Sequence, residues 1–224
     1  MKTLAIISQK GGSGKSTIAV HLAAYALIKK LHPAIVDLDP QGSAYEWNNL
    51  RDENDPKSPK LDAIRGTADK LAALQKMGIE NGIDLLIIDT APHSNKEAAL
   101  AAQLADAVLV PCRPSLFDLK AITTTFQIIA AAKKPAAVIL NAAPRGKLAD
   151  EAREAIEAQG FTVLPTVLQH RAAFSHAVID GRAVHEYEPE GKAAEDIAAL
   201  YRDITIMLAL PQQRKSAKTK GKVS

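Results

Sequence analysis

Short apolar runs alternate along the chain with longer stretches whose apolar positions recur at helical spacing, so the pattern predicts strands and helices in turn. Residues 3–8 form the first run, which ends in a glycine-rich turn, and residues 16–30 repeat apolar positions every three or four places. That is strand, loop, helix. Residues 34–36 give a second strand closing on Asp37 and Asp39, with Pro40 stopping it and Gln41, Gly42 and Ser43 opening the next turn. The polar, proline-bearing stretch 52–60 reads as a surface loop, because the same alternation resumes beyond it. A strand over 61–65 and a helix over 67–77 follow. Residues 84–88 are almost continuously apolar up to Asp89, which suits a strand buried on both faces. Further on, the pattern predicts a helix over 95–104, a strand over 107–110, a helix over 118–133, a strand over 136–140 and a helix over 148–158. A weak strand over 161–164 and a helix over 193–208 complete it, with no internal repeat.

This alternation predicts an α/β fold: one domain with a doubly wound, mostly parallel sheet, right-handed crossovers and helices on both faces. Ligands of such sheets bind beyond the carboxyl ends of the strands. Ser8, Asp37, Asp89, Pro111 and Asn141 all fall at expected strand ends, so the pattern alone gathers them on one edge. A chain of 224 residues suffices for one such domain, expected over residues 1–210.

Composition adds exclusions. With 47% hydrophobic residues the chain is globular, and no apolar run approaches the roughly 18–20 residues that cross a bilayer. A soluble protein is expected. Lys2 and the apolar run after it look like the start of a signal peptide, but Gln9, Lys10, Gly11 and Gly12 interrupt it too early, so secretion is not expected. Cys112, the only cysteine, forms no intrachain disulfide and reads as a small buried hydrophobe in a reducing cytoplasm. The formal charge is +3, yet Arg214, Lys215, Lys218, Lys220 and Lys222 crowd the last fourteen residues; without those five, 23 bases face 25 acids, a balance of −2. Residues 211–224 therefore read as a basic, disordered tail, either an arm for a polyanion or a solvated solubility tail.

The strongest chemical signal is Lys10-Gly11-Gly12-Ser13-Gly14-Lys15-Ser16-Thr17 between a strand and a helix. Glycines let the backbone curl so that successive N–H groups point inward, and the helix N-terminus adds partial positive charge for phosphates. Lys15 is expected on the β- and γ-phosphates of ATP, the Ser16 hydroxyl on Mg²⁺ and Thr17 near the α-phosphate. Gln9 stands where GxxxxGK[ST] wants its first glycine, and Lys10 adds a second lysine. In this the chain resembles the ParA and MinD family of deviant Walker A ATPases, whose signature KGGxGK[ST][ST] it matches throughout. The resemblance runs to about residue 208 and implies a P-loop NTPase fold, slow partner-stimulated ATP hydrolysis and an ATP-dependent homodimer in which Lys10 reaches the other subunit's nucleotide. Residues 36–43 resemble the family's first switch segment, which implies that Asp39 positions the attacking water and Asp37 sits near the magnesium shell. Aspartates also cap turns. Residues 85–92 resemble the Walker B strand, with Ala91 in place of a proline and Asp89 on magnesium. Pro111 and Asn141 look like base-binding positions of the family, although either also suits a turn.

Tyr45 and Trp47, on the helix after the switch, read as packing groups rather than stacking groups. Met1 lies close to the first strand, so no DNA-reading helix-turn-helix is expected, and residues 211–224 hold too few apolar side chains for a membrane helix. The resemblance therefore points to the small ParA-type ATPases: a cytoplasmic, nucleoid-associated protein for DNA partition, partnered by a ParB-like centromere-binding or adaptor protein. The resemblance implies binding to double-stranded DNA without sequence preference through Arg171, with Arg145, Lys147, Arg182 and Lys192 as further candidates. Two alternatives stay open: a ParA-like ATPase that positions a protein cargo on the nucleoid, and a metabolic or maturation ATPase of the same superfamily. For the latter, a lone cysteine is poor material for a shared cluster.

Overall fold

Successive side chains of a strand face opposite sides of its sheet. In most strands of this chain both sets are apolar, so the sheet needs a cover on each face. The computed structural model describes residues 1–56 and 59–210. In order, the elements are β1 (Lys2–Ile6), α1 (Lys15–Ile28), β2 (Pro33–Asp37), α2 (Ser43–Asn54), β3 (Asp62–Arg65), α3 (Leu71–Glu80), β4 (Leu85–Asp89) and α4 (Asn95–Leu104). They continue with β5 (Ala107–Cys112), α5 (Leu116–Ile129), β6 (Ala136–Ala143), α6 (Leu148–Glu157), β7 (Val163–Gln169), α7 (Ala172–Ile179), α8 (Val184–Tyr187) and α9 (Lys192–Met207).

The seven strands pair side by side in the order β3-β2-β4-β1-β5-β6-β7, each pair parallel. Leu4, Ile6, Ile35, Leu85, Ile87, Leu109 and Ile139 pack on one side with α1, α2, α7, α8 and α9. Their neighbours Ala5, Ile7, Val36, Leu86, Ile88, Val108, Val110 and Val138 pack on the other with α3 to α6. The doubly wound expectation is met. Helix α1 packs on β2 and β4 with Ala19, Ala23 and Ala26 wholly buried, and such small side chains let the two backbones approach. Each large core side chain that is fully buried contributes roughly 1.5–3 kcal/mol through removal from water.

Several boundaries differ from expectation. Strand β5 runs through Pro111 to Cys112 and β6 runs through Asn141 to Ala143, so neither residue ends its strand. Pro111 is tolerated because the register of β5 with β1 stops at Leu109 and only the β6 side, where it faces Ile139, is still paired. Helix α2 extends to Asn54 into the expected loop. The weak strand becomes β7 from Val163, held against β6 across two register shifts. Helices α7 and α8 have no counterpart in the predicted pattern. Trp47 is buried, as read, and Tyr45 stacks under Arg65, 5.1 Å from guanidinium to ring. Cys112 is a buried free thiol, and burial pushes its pKa up to about 12. Among the described residues no helix is long and apolar enough to cross a membrane. The basic tail lies outside the described residues.

Candidate functional site

Register brings the site together. Ile6 and Asp37 both pair with Asp89, so the ends of β1, β2 and β4 form one ledge, above which residues 8–14 curl. Gly12 and Gly14 lie in the left-handed region at φ +70° and +97°, where a β-carbon is strained. Side chains added at Gly11 or Gly12 would meet nothing within 4 Å. Helix α1 begins at Gly14 with no side-chain cap and no acid in its first turn, which leaves its first N–H groups to an anion. Ser13 is wholly buried, and its hydroxyl has no partner. Ser16 and Thr17 are half-buried at the first turn, and Lys10 stands on the loop, its N–H 3.4 Å from the Ser8 hydroxyl.

Lys15 is buried, and burial lowers its pKa against the opposing pull of Asp89 and Asp39. Asp89 is fully buried, neither carboxylate oxygen accepts a hydrogen bond, and burial raises its pKa to about 7. The neighbouring Ser16 hydroxyl and Lys15 pull the other way, while Asp37 and Asp39 push it further up. Asp37 is engaged differently. Its Oδ1 accepts the Asp39 N–H at 3.0 Å, and its Oδ2 accepts those of Ala44 at 3.0 Å and Tyr45 at 3.1 Å. It therefore starts α2, the capping alternative that the sequence left open, and burial still raises its pKa. Asp39, half-buried, accepts the Gln41 N–H at 2.9 Å.

These residues fit Mg²⁺ and the phosphates of a nucleotide. A buried carboxylate with two unused oxygens is costly unless a cation joins it, and among the described residues no group of three or more His, Cys, Asp or Glu would hold a metal unaided. Mg²⁺ commonly takes one carboxylate and completes its shell with water and phosphate oxygens. Asp89 and the Ser16 hydroxyl would supply the protein's share.

Asn141 reaches the same loop: its Nδ2 donates to the Ser13 carbonyl at 2.7 Å, and a β-carbon on Gly14 would collide with that amide. Glycine is needed at 14 for space as well as for conformation. Pro111 is buried inside β5. A cleft of about 170 Å³ beside Gly14, Thr17 and Asn141 also takes in Arg113, Gln169 and His170, which sequence reasoning did not single out. Nothing local in the chain marks them, since they come from the ends of two strands far apart in sequence, β5 and β7. Arg171 begins α7 and pairs with Asp196 at 2.8 Å, its side chain one-quarter exposed. Arg145 and Lys192 join it and His170 around a second groove of about 590 Å³. Lys147 is an exposed residue at the start of α6, and Arg182 pairs with Asp180 elsewhere.

The family model described as "CobQ/CobB/MinD/ParA nucleotide binding domain" matches residues 4–184. "Maintenance of carboxysome distribution protein A" of Halothiobacillus neapolitanus is 32% identical over 205 residues, 87% of this chain and 91% of that protein. The "Chromosome-partitioning ATPase Soj" of Thermus thermophilus is 24% identical over 237 residues, 91% and 95% of the two chains. Among solved structures, the Cyanothece McdA–ATP complex superposes with a TM-score of 0.72 at 19% identity, covering 96% of this chain and 99% of that one.

Proposed function

The chain belongs to the CobQ/CobB/MinD/ParA nucleotide-binding family, and on that footing we propose that it is a Mg²⁺-dependent ATPase that distributes a protein cargo along DNA. The observation that carries the ATPase part is the meeting of buried Lys15 and unpartnered Asp89 at an uncapped helix N-terminus. Phosphoryl transfer asks little covalent work of a protein, so positioning and charge supply most of the acceleration. Mg²⁺, when held by Asp89 and Ser16, would neutralise phosphate charge. Loop N–H groups and Lys15 bind the phosphates, Thr17 adds a hydroxyl, and Asp39 orients the attacking water. Lys10 serves the facing subunit of an ATP-bound homodimer. Asn141 and Pro111 stand on the base side; with Nδ2 given to Ser13, Asn141 offers its Oδ1 there.

Cargo positioning takes precedence over the DNA partition that the sequence suggested, because the relative at 32% identity bears a name tied to carboxysome distribution. Partition stays as the second reading, supported by the likeness to Soj. Both need a partner protein that stimulates hydrolysis and a nucleoid-bound cytoplasmic state. Both also use sequence-independent DNA binding, for which the groove of Arg145, His170, Arg171 and Lys192 is the candidate face. Counterion release would make that binding fall steeply with salt. Deleting the gene and following fluorescent protein bodies and plasmids in the same cells separates the readings. Clustered protein bodies with stable plasmid inheritance are expected; plasmid loss with evenly spaced bodies would return the assignment to partition. In vitro, Arg171→Ala should weaken binding of the ATP-loaded protein to random and native DNA alike. Binding that is tighter in ADP and selective for one sequence would refute the DNA role.

A further inference from the structure

Helix α2 connects the switch residues to a buried ion pair that no step above uses. Arg51, on its last turns, is 3% exposed and forks onto Glu186 of α8, Nη1 to Oε2 at 2.6 Å and Nη2 to Oε1 at 2.7 Å. Glu186 Oε2 also accepts the Ala183 N–H at 2.8 Å, which fixes the carboxylate from its own side. The loop before α8 follows the same helix. Trp47 Nε1 donates to the Arg182 carbonyl at 3.4 Å and Asn54 Nδ2 to the Asp180 carbonyl at 3.1 Å. Gly181, at φ +69°, lies so close that a β-carbon would come within 2.6 Å of the Arg51 backbone nitrogen. At the other end of α2, Asp37 holds the first turn and the Asp39 N–H with one carboxylate. A helix of this length is a rigid rod of about 18 Å. Because β2 holds Asp37 in the sheet, tilting the clamped end shifts the first turn of α2 against Asp37 and moves the short segment 38–42 that carries Asp39.

A buried ion pair is weak evidence of stability, since apolar groups of similar volume often do as well, but the fork has a fixed direction. Here the pair is an imperfect stabiliser, because the Arg51 Nε is buried without a partner. We propose that Arg51 and Glu186 are positioning residues for hydrolysis: their fork sets the angle of α2 and so the place of Asp39 opposite Lys15. The inference rests on the reading of Asp39 as the water-orienting carboxylate. Misplacement of a reacting group by about 1 Å can cost on the order of a hundredfold in rate.

The test measures kcat, KM and ATP affinity, by a fluorescent nucleotide, for Arg51→Lys, Gly181→Ala and the double variant Arg51→Met with Glu186→Met, beside Asp39→Ala. Thermal unfolding reports the folded fraction. The double variant leaves no uncompensated buried charge and keeps the test valid where a single change unfolds the chain. Expected is a fall in kcat of about tenfold to a hundredfold with ATP affinity unchanged, in the folded double variant as in Arg51→Lys. A folded double variant with wild-type kcat would overturn the proposal, as would loss of kcat only in proportion to unfolded protein. If Asp39→Ala itself hydrolyses at the wild-type rate, the water-orienting role fails and the inference falls with it. Should Asp39→Ala be inactive while the clamp variants are normal, the inference alone fails.

Discussion

Replacing His21 should change how stability depends on pH. Its ring is wholly buried in α1, with Nδ1 accepting the Val184 N–H at 3.3 Å and Nε2 without a partner. Phe174 meets it edge-on at 5.3 Å. Burial lowers its pKa to about 3, with His185 pushing the same way and Glu186 opposing, whereas in the unfolded chain it titrates near 6.5. A depressed histidine gives stability that is complete above the unfolded pKa and is lost as pH falls from about 6.5 towards about 3. At pH 5 the unfolded state has taken up the proton by a ratio of about 30 while the folded state has refused it, a loss of about 2 kcal/mol relative to pH 7.5. His21→Gln keeps an acceptor for Val184 and has no proton to take up. Urea unfolding at pH 7.5, 6 and 5 should therefore show the variant gaining on the wild type by about 2 kcal/mol, a midpoint shift on the order of 1 M. Because Asp89 and the other carboxylates are common to both proteins, the difference isolates His21. A gap that stays constant from pH 7.5 to pH 5 would refute the reasoning.

Other expectations follow from the same geometry. Lys15→Ala should abolish nucleotide binding, while Asp39→Ala should bind ATP and fail to turn it over, read by fluorescent-nucleotide titration and phosphate release. Gly14→Ala should lose nucleotide binding and about 1–3 kcal/mol of stability; adding Asn141→Ala should recover only part, because the positive φ persists. Asp89→Asn should stabilise the nucleotide-free protein at pH 8 by up to about 4 kcal/mol, the cost of holding a buried carboxylate ionised above its raised pKa, and should abolish the response to Mg²⁺. In light scattering with ATP, Lys10→Ala should remain monomeric where the wild type dimerises.

The sheet was readable because strands such as β4 are apolar without interruption, and the phosphate loop because its chemistry is backbone geometry written by adjacent glycines. What the chain hid is non-local. Helix α8 has four residues, too few to show a period, and α7 is exposed on one side and lacks a polar-apolar rhythm. Asn141 looked like a base reader on a strand end, and its Nδ2 also donates to the Ser13 carbonyl of the phosphate loop, a pairing no window of sequence contains. Likewise nothing near Arg51 announces Glu186. Asp37 shows a third case: the residue was found, but only the three N–H groups around it reveal that it anchors α2 as well as facing Asp89.

The placing of β1 between β4 and β5 has a consequence for the chain as it is made. The residues of the phosphate loop precede every strand but β1, and β1 has no neighbour to pair with until β4, and no second neighbour until β5. Asp89 arrives with the first and the Asn141 amide, which closes on Ser13, only with β6. A nascent chain thus carries the nucleotide-binding motif long before it has a nucleotide-binding site, and such late, long-range pairing slows folding. A nucleotide can be captured only once most of this domain has been synthesised, so its binding waits on β6.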